Sequence, residues 1–160
     1  PAVTVKAIRI LSEQAGELGM VGGQVLDMDA EEQELTEQGI YDIQCRKTGA
    51  LIQAACQIGV VAANGTEQQL DAAKTYAQNL GLAFQIRDDM LDVIGDEATF
   101  GKPIGSDKDE GKVTYVDLKG LDGCAQEVEK CTLAAKEAIR DIPDHEFLWE
   151  LADRMVGRTK

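Results

Sequence analysis

Apolar residues recur along most of this chain at helical spacing, and the breaks in that spacing divide it into segments. Val3, Val5, Ile8, Leu11, Ala15 and Leu18 predict a helix from residue 1 to about 26. The glycines of GMVGGQ, residues 19–24, interrupt it, and adjacent glycines near a helix end mark close packing of another helix or a soft bend. Residues 27–35 form an acidic connection, after which Thr36 can cap a second helix over about 37–62. That helix changes character at Lys47: polar before it, small and apolar on all sides after it, as in a helix buried within a bundle. Asn64 and Gly65, both tolerant of left-handed backbone, close it. A third helix covers about 67–93. Residues 95–112, GDEATFGKPIGSDKDEGK, carry Pro103 among several glycines and predict a loop. Two further helices follow, about 121–141 and 144–156, separated at Pro143. VTYVDL, from Val113, is too short and isolated for a strand and fits a helix start. The expected class is all-α.

The third helix ends in GLAFQIRDDMLDVIGD, residues 81–96, where Asp88, Asp89 and Asp92 lie among apolar neighbours. Residues four apart stack on one helix face, so Asp88 and Asp92 point the same way. Asp89 is about 100° round from Asp88, and Gln85 and Phe84 lie one turn earlier. Two carboxylates ~6 Å apart at an effective dielectric near 20 repel by roughly 3 kcal/mol. Either the run is a solvated acidic face, or a hard divalent cation with oxygen ligands answers the charge. Magnesium suits the second reading, since it binds through one or two carboxylates plus substrate phosphates. The apolar flanks favour metal.

Composition narrows the remaining options. The 160 residues suffice for a domain with a core. A net charge of −13 argues against nucleic acid or an anionic membrane as partner. It leaves room for a phosphate ligand, because lysines can be gathered locally. Cys45, Cys56, Cys124 and Cys131 form no CxxC pair, and with His145 as the single histidine there is no zinc set. Cys124 and Cys131, seven apart, predict one buried helix face. Reduced thiols, no signal-peptide pattern at the start and no apolar run long enough to span a bilayer fit a cytoplasmic protein without stable membrane insertion.

Lys47 is followed by the hydroxyl of Thr48, while Lys102 and Lys112 each follow a glycine in the loop after the aspartates. Converging on one cleft, they would cradle a diphosphate; otherwise they are three surface lysines. Spacing does not decide between these.

FQIRDDMLD, preceded by GLA, resembles the second aspartate-rich motif of the trans-isoprenyl diphosphate synthases, the farnesyl and geranylgeranyl diphosphate synthase family. GMVGGQVLDM, KTGALI and GKPIGSDKDEGKVTY appear in the family's order, and the terminal LADRMVGRTK is similar to the basic end of short-chain members. The resemblance implies an antiparallel α-helix bundle of the isoprenoid synthase type. It implies transfer of an allylic group, dimethylallyl or geranyl, from its diphosphate to isopentenyl diphosphate, with Mg2+ as cofactor, in a protein that is usually a homodimer. Carried over residue by residue, Asp88, Asp89 and Asp92 would hold magnesium. Lys47, Thr48, Gln85, Lys102 and Lys112 would contact the allylic diphosphate. Phe84 and Gln24 would line the cavity, and Arg158 and Lys160 would cover the isopentenyl diphosphate.

Departures from the family pattern are equally informative. The family carries an earlier DDxxD motif and an upstream basic segment, and Asp27 and Asp29 in DMDAEE do not reproduce that spacing. Arg46 stands where histidine is frequent and Val116 where proline is. The expectation is that residues 1–160 are the C-terminal portion of a polyprenyl synthetase domain, an incomplete part of a short-chain geranyl or farnesyl-type synthase. Helices 47–62 and 80–93 would then lack packing partners. The competing expectations are a non-catalytic helical subunit that regulates a full-length synthase, and a different α-helical terpenoid enzyme of the squalene or cyclase type.

Overall fold

The 28 residues of one helix, Glu67–Ile94, form the axis on which most of the others pack. In the computed structural model the residues described are 2–30, 35–94 and 113–158, and every regular element among them is helical. In chain order these are α1 (Ala2–Ala15), α2 (Met20–Ala30), α3 (Glu37–Gln44), a π-helical turn (Cys45–Gly49), α4 (Ala50–Ala62), α5 (Glu67–Ile94), α6 (Tyr115–Ala138) and α7 (Glu146–Gly157). At 1.5 Å per residue α5 runs roughly 42 Å. Its buried positions Ala73, Tyr76, Ala77, Leu80, Ala83, Ile86 and Met90 recur at helical intervals, and several are small enough for neighbouring helices to approach closely.

Two apolar clusters hang on that axis. Toward its C-terminal end Ile86 and Met90 pack with Ile40 of α3 and with Tyr115 and Cys124 of α6. Toward its N-terminal end Tyr76 and Leu80 pack with Ala135 and Ile139 at the end of α6 and with Ala152 of α7. The Tyr76 hydroxyl donates to the Leu148 carbonyl at 2.7 Å, and the Trp149 indole donates to the Lys136 carbonyl at 3.1 Å. These bonds satisfy polar groups that burial would otherwise strand.

Several boundaries differ from expectation. The first break falls at residues 16–19 rather than at 19–24, and α2 continues to Ala30, so Asp27 and Asp29 are helical rather than part of a connection. Helix α6 starts at Tyr115, six residues before the expected start, with VTYVDL as its opening. Gly120 alone breaks its backbone, at φ 66; only glycine adopts that angle at no steric cost. Thr36 caps α3, accepting from the Gly39 N–H at 3.2 Å, and Asn64 after α4 is left-handed at φ 54, both as expected. Helix α4 departs from the expectation of burial on all sides. Ala50, Gln53, Ala54 and Val61 are buried, but Leu51, Ala55 and Gly59 form an exposed stripe four residues apart. On α1 and α2, Val5, Ile8, Leu11, Val21, Val25 and Met28 are likewise exposed, as is Leu18 in the turn between them.

Cys124 and Cys131 share the buried face of α6, and all four cysteines are free thiols. Burial pushes the Cys131 thiol from 9.0 up to about 11 and the Tyr76 phenol from 10.0 up to about 12. A raised acid keeps its proton in the folded state after the unfolded chain has lost it, so this stability is intact below about pH 9 and falls as pH rises. We expect urea-unfolding free energy to drop between about pH 9 and about pH 11. The rise from 9.0 to about 11 bounds the Cys131 share at about 2–3 kcal/mol, and Cys131→Ala should flatten the slope. An unchanged slope in that variant would assign the effect elsewhere.

Candidate functional site

The last four turns of α5 present Gly81, Phe84, Gln85, Asp88, Asp89 and Asp92 to three different neighbours. Gly81 faces the π-helical turn. A Cβ there would come 3.3 Å from the Gly49 Cα, so the two backbones touch. That approach brings the turn's Thr48 to Gln85, one helical turn on, where the Thr48 hydroxyl donates to Gln85 Oε1 at 3.2 Å. A π-turn adds a residue to the helical circuit and re-aims the side chains on it; such turns are frequent at functional sites. The helix expected over 37–62 is continuous, but it passes through one π-helical turn at CRKTG, where Lys47 and Thr48 lie.

Asp88 is partly exposed and pairs with Nη2 of Arg158, the residue that follows α7. The Arg158 guanidinium lies 3.8 Å over the Phe84 ring, and its Nη2 also approaches the Phe84 carbonyl at 3.5 Å. Arg87 donates to the Arg158 carbonyl through Nε at 3.3 Å and Nη2 at 3.1 Å. Arg158 Nε is buried without a hydrogen-bond partner among the described residues. Asp88, Phe84 and Arg158 thus form one cluster.

Asp89 turns elsewhere. Its Oδ2 accepts from the Tyr115 N–H at 3.0 Å and from Gln44 Nε2 at 3.3 Å. A carboxylate against the first turn of α6 meets unpaired N–H groups and the positive end of the helix dipole. Asp92 is 8% exposed. Asp88 and Asp89 therefore face different neighbours, and among the described residues no group of three acids, histidines or cysteines is placed to hold an ion. The physical reason is the 100° step between adjacent helical residues, which aims Asp89 at α6 instead of at the Asp88 cluster.

Lys47 points from the π-turn to α2, where its Nζ lies 2.5 Å from Asp27 Oδ2. Gln24 is exposed on α2. Lys102, Lys112 and Lys160 lie outside the described residues. Of the partners found here, Asp27, Gln44 and Arg87 were not expected. Asp27 had a signal, since it stands four residues after Gly23 and hence on the same helix face. Gln44 and Arg87 had none, because their bonds depend on where α6 and the residue after α7 arrive. A separate cleft of about 370 Å3, lined by Glu37, Tyr41, Tyr115, Lys119 and Glu127 among others, contains a lysine already answered by two glutamates, at 2.6 and 3.6 Å.

The family model for polyprenyl synthetases matches residues 2–146. The chain belongs to the polyprenyl synthetase family. Among relatives, farnesyl diphosphate synthase of Escherichia coli is 37% identical over 161 residues, covering 98% of this chain and 54% of the relative. Geranylgeranyl diphosphate synthase of Cyanophora paradoxa is 38% identical over 157 residues, covering 97% and 52%. The solved structure of a geranyltransferase from Helicobacter pylori, complexed with magnesium and isoprenyl diphosphate, superposes with a TM-score of 0.80 at 28% identity, covering 98% and 52%. The chain spans about half the length of the curated relatives it matches. The all-α fold is thus that of the isoprenyl synthases. No helix among the described residues is long and apolar enough to cross a membrane.

Proposed function

We propose that this chain is the C-terminal portion of a magnesium-dependent prenyltransferase of short product length, in which isopentenyl diphosphate attacks an allylic diphosphate. The Thr48–Gln85 hydrogen bond carries this reading, because it ties the π-turn to α5 one turn before Asp88. A hydroxyl and an amide suited to diphosphate oxygens then stand on the same face as a partly exposed carboxylate. The donor chemistry fits a hard cation: Asp88 offers partly exposed carboxylate oxygens, which magnesium would take in exchange for the Arg158 pair.

In this reading Asp88 is the direct magnesium ligand, with Asp89 and Asp92 adding negative potential behind it. Bound magnesium would neutralise the diphosphate as it leaves. Lys47, Lys102 and Lys112 supply ammonium donors to the diphosphate oxygens. Thr48 fixes the Gln85 amide so that its NH2 group faces the same oxygens. Phe84 and Gln24 wall the hydrocarbon side, and Arg158 and Lys160 serve the isopentenyl diphosphate. The allylic C–O bond breaks with its electron pair going to diphosphate. The isopentenyl double bond forms the new C–C bond, and loss of a proton restores a double bond.

The exposed stripe Leu51, Ala55 and Gly59 supports the fragment reading, since a helix apolar on all sides needs cover on all sides. The complete protein in this proposal is a cytoplasmic homodimer. Calorimetry of this chain with a thiolodiphosphate analogue of dimethylallyl diphosphate tests the site. Heat of binding that requires magnesium is the expected result. A folded, helical chain that binds the analogue equally well with and without magnesium would sink the proposal.

A further inference from the structure

We propose that Asp27 is a positioning residue that sets the Lys47 ammonium for diphosphate, an inference that rests on the reading of Lys47 given above. Two observations on α2 carry it. A Cβ at Gly23 would sit 2.3 Å from the Lys47 backbone nitrogen and 2.8 Å from the Arg46 carbonyl carbon, so α2 meets the π-turn backbone to backbone. One turn on, on the same face, Asp27 Oδ2 holds Lys47 Nζ at 2.5 Å. Glycine admits the main chain and aspartate, four residues later, takes the side chain.

The ion pair differs from those at the surface. Its side chains are 23% and 36% exposed, against 54% and 78% for Glu13 and Arg9, so water and salt screen it less. A lysine ammonium sits on a flexible four-carbon stem and has three N–H donors. Asp27 uses one donor and fixes the stem, which leaves two donors for phosphate oxygens. Aspartate suits this task because its short side chain has little freedom of its own. The carboxylate touches no substrate in this account; it acts through Lys47.

The experiment compares the chain as it stands with Asp27→Asn, Asp27→Glu, Lys47→Met and the Asp27→Asn/Lys47→Met double variant. The first readout is side-chain relaxation by NMR at the Lys47 Cε, with exposed Lys74 as internal reference. Asp27→Asn should bring Lys47 to the mobility of Lys74, and Asp27→Glu should restore part of its order. The second readout is affinity for magnesium with inorganic diphosphate. Asp27→Asn should weaken it about 5–10-fold in the otherwise unchanged chain and less than about 2-fold beside Lys47→Met. Unchanged Lys47 order in Asp27→Asn overturns the positioning role. Equal weakening with and without Lys47 also overturns it, because the effect would not pass through the lysine. If Lys47 loosens yet neither Asp27→Asn nor Lys47→Met affects diphosphate binding, the diphosphate role of Lys47 fails and the purpose assigned to Asp27 falls with it. Should Asp27→Asn not fold, Asp27→Glu and Lys47→Met still carry both readouts.

Discussion

Asp88→Ala should abolish magnesium-dependent diphosphate binding while leaving the fold almost untouched. Changing groups that merely orient a metal ligand typically costs 10–100-fold in affinity, so removing a direct ligand should cost at least about 100-fold. The stability effect is bounded from the other side. The pair with Arg158 is partly exposed, at 39% for the aspartate and 24% for the arginine, and such pairs contribute about 0–1 kcal/mol. Arg158 keeps the Phe84 ring and the Arg87 bonds when Asp88 is gone. Asp89→Ala should behave in the opposite way. Its loss strands the Tyr115 N–H and the Gln44 amide, at a cost of about 1–3 kcal/mol in stability. Calorimetry with urea titration on both variants separates them. Equal losses of binding without loss of stability would show that Asp89 is a metal ligand on the same footing as Asp88.

How much of the fold and site is legible in the sequence depends on whether a feature is local or remote. Helical periodicity locates α5 almost to its ends, and the Thr36 cap and the left-handed Asn64 follow from side-chain chemistry at single positions. The π-turn is hidden because CRKTG contains nothing that disfavours an ordinary helix; Lys47 and Thr48 are displaced by what α2 and α5 press against them. The aspartates show the limit most clearly. Their spacing fixes angles around α5 but not what lies at each angle. Asp88 meets Arg158, 70 residues on, and Asp89 meets Tyr115, 26 residues on. A shared motif therefore hides at least two different environments. The acidic character of DMDAEE suggests a connection, whereas Gly23 and Asp27, one turn apart, are the better guide to α2.

Gly23→Ala tests that last point, with Gly59→Ala as its control. Alanine is the better helix former by about 1 kcal/mol, so an exposed helical glycine gains from the exchange. A methyl group added at Gly59 would meet nothing within 4 Å, and this variant should unfold about 2 °C higher. At Gly23 the same methyl group meets backbone atoms at 2.3 and 2.8 Å, which cannot rotate away as a side chain would. Helix α2 must retreat by roughly 1 Å, the distance that separates this approach from ordinary packing, and overpacking of this kind costs about 1–3 kcal/mol or more. The retreat also draws Asp27 away from Lys47, so the loss exceeds the steric term alone. We expect Gly23→Ala to unfold about 4–8 °C lower in a thermal melt followed by circular dichroism. A melting temperature equal to or above that of the unchanged chain would mean that α2 rests loosely on the π-turn. The Gly23–Asp27 register would then not be what places Lys47.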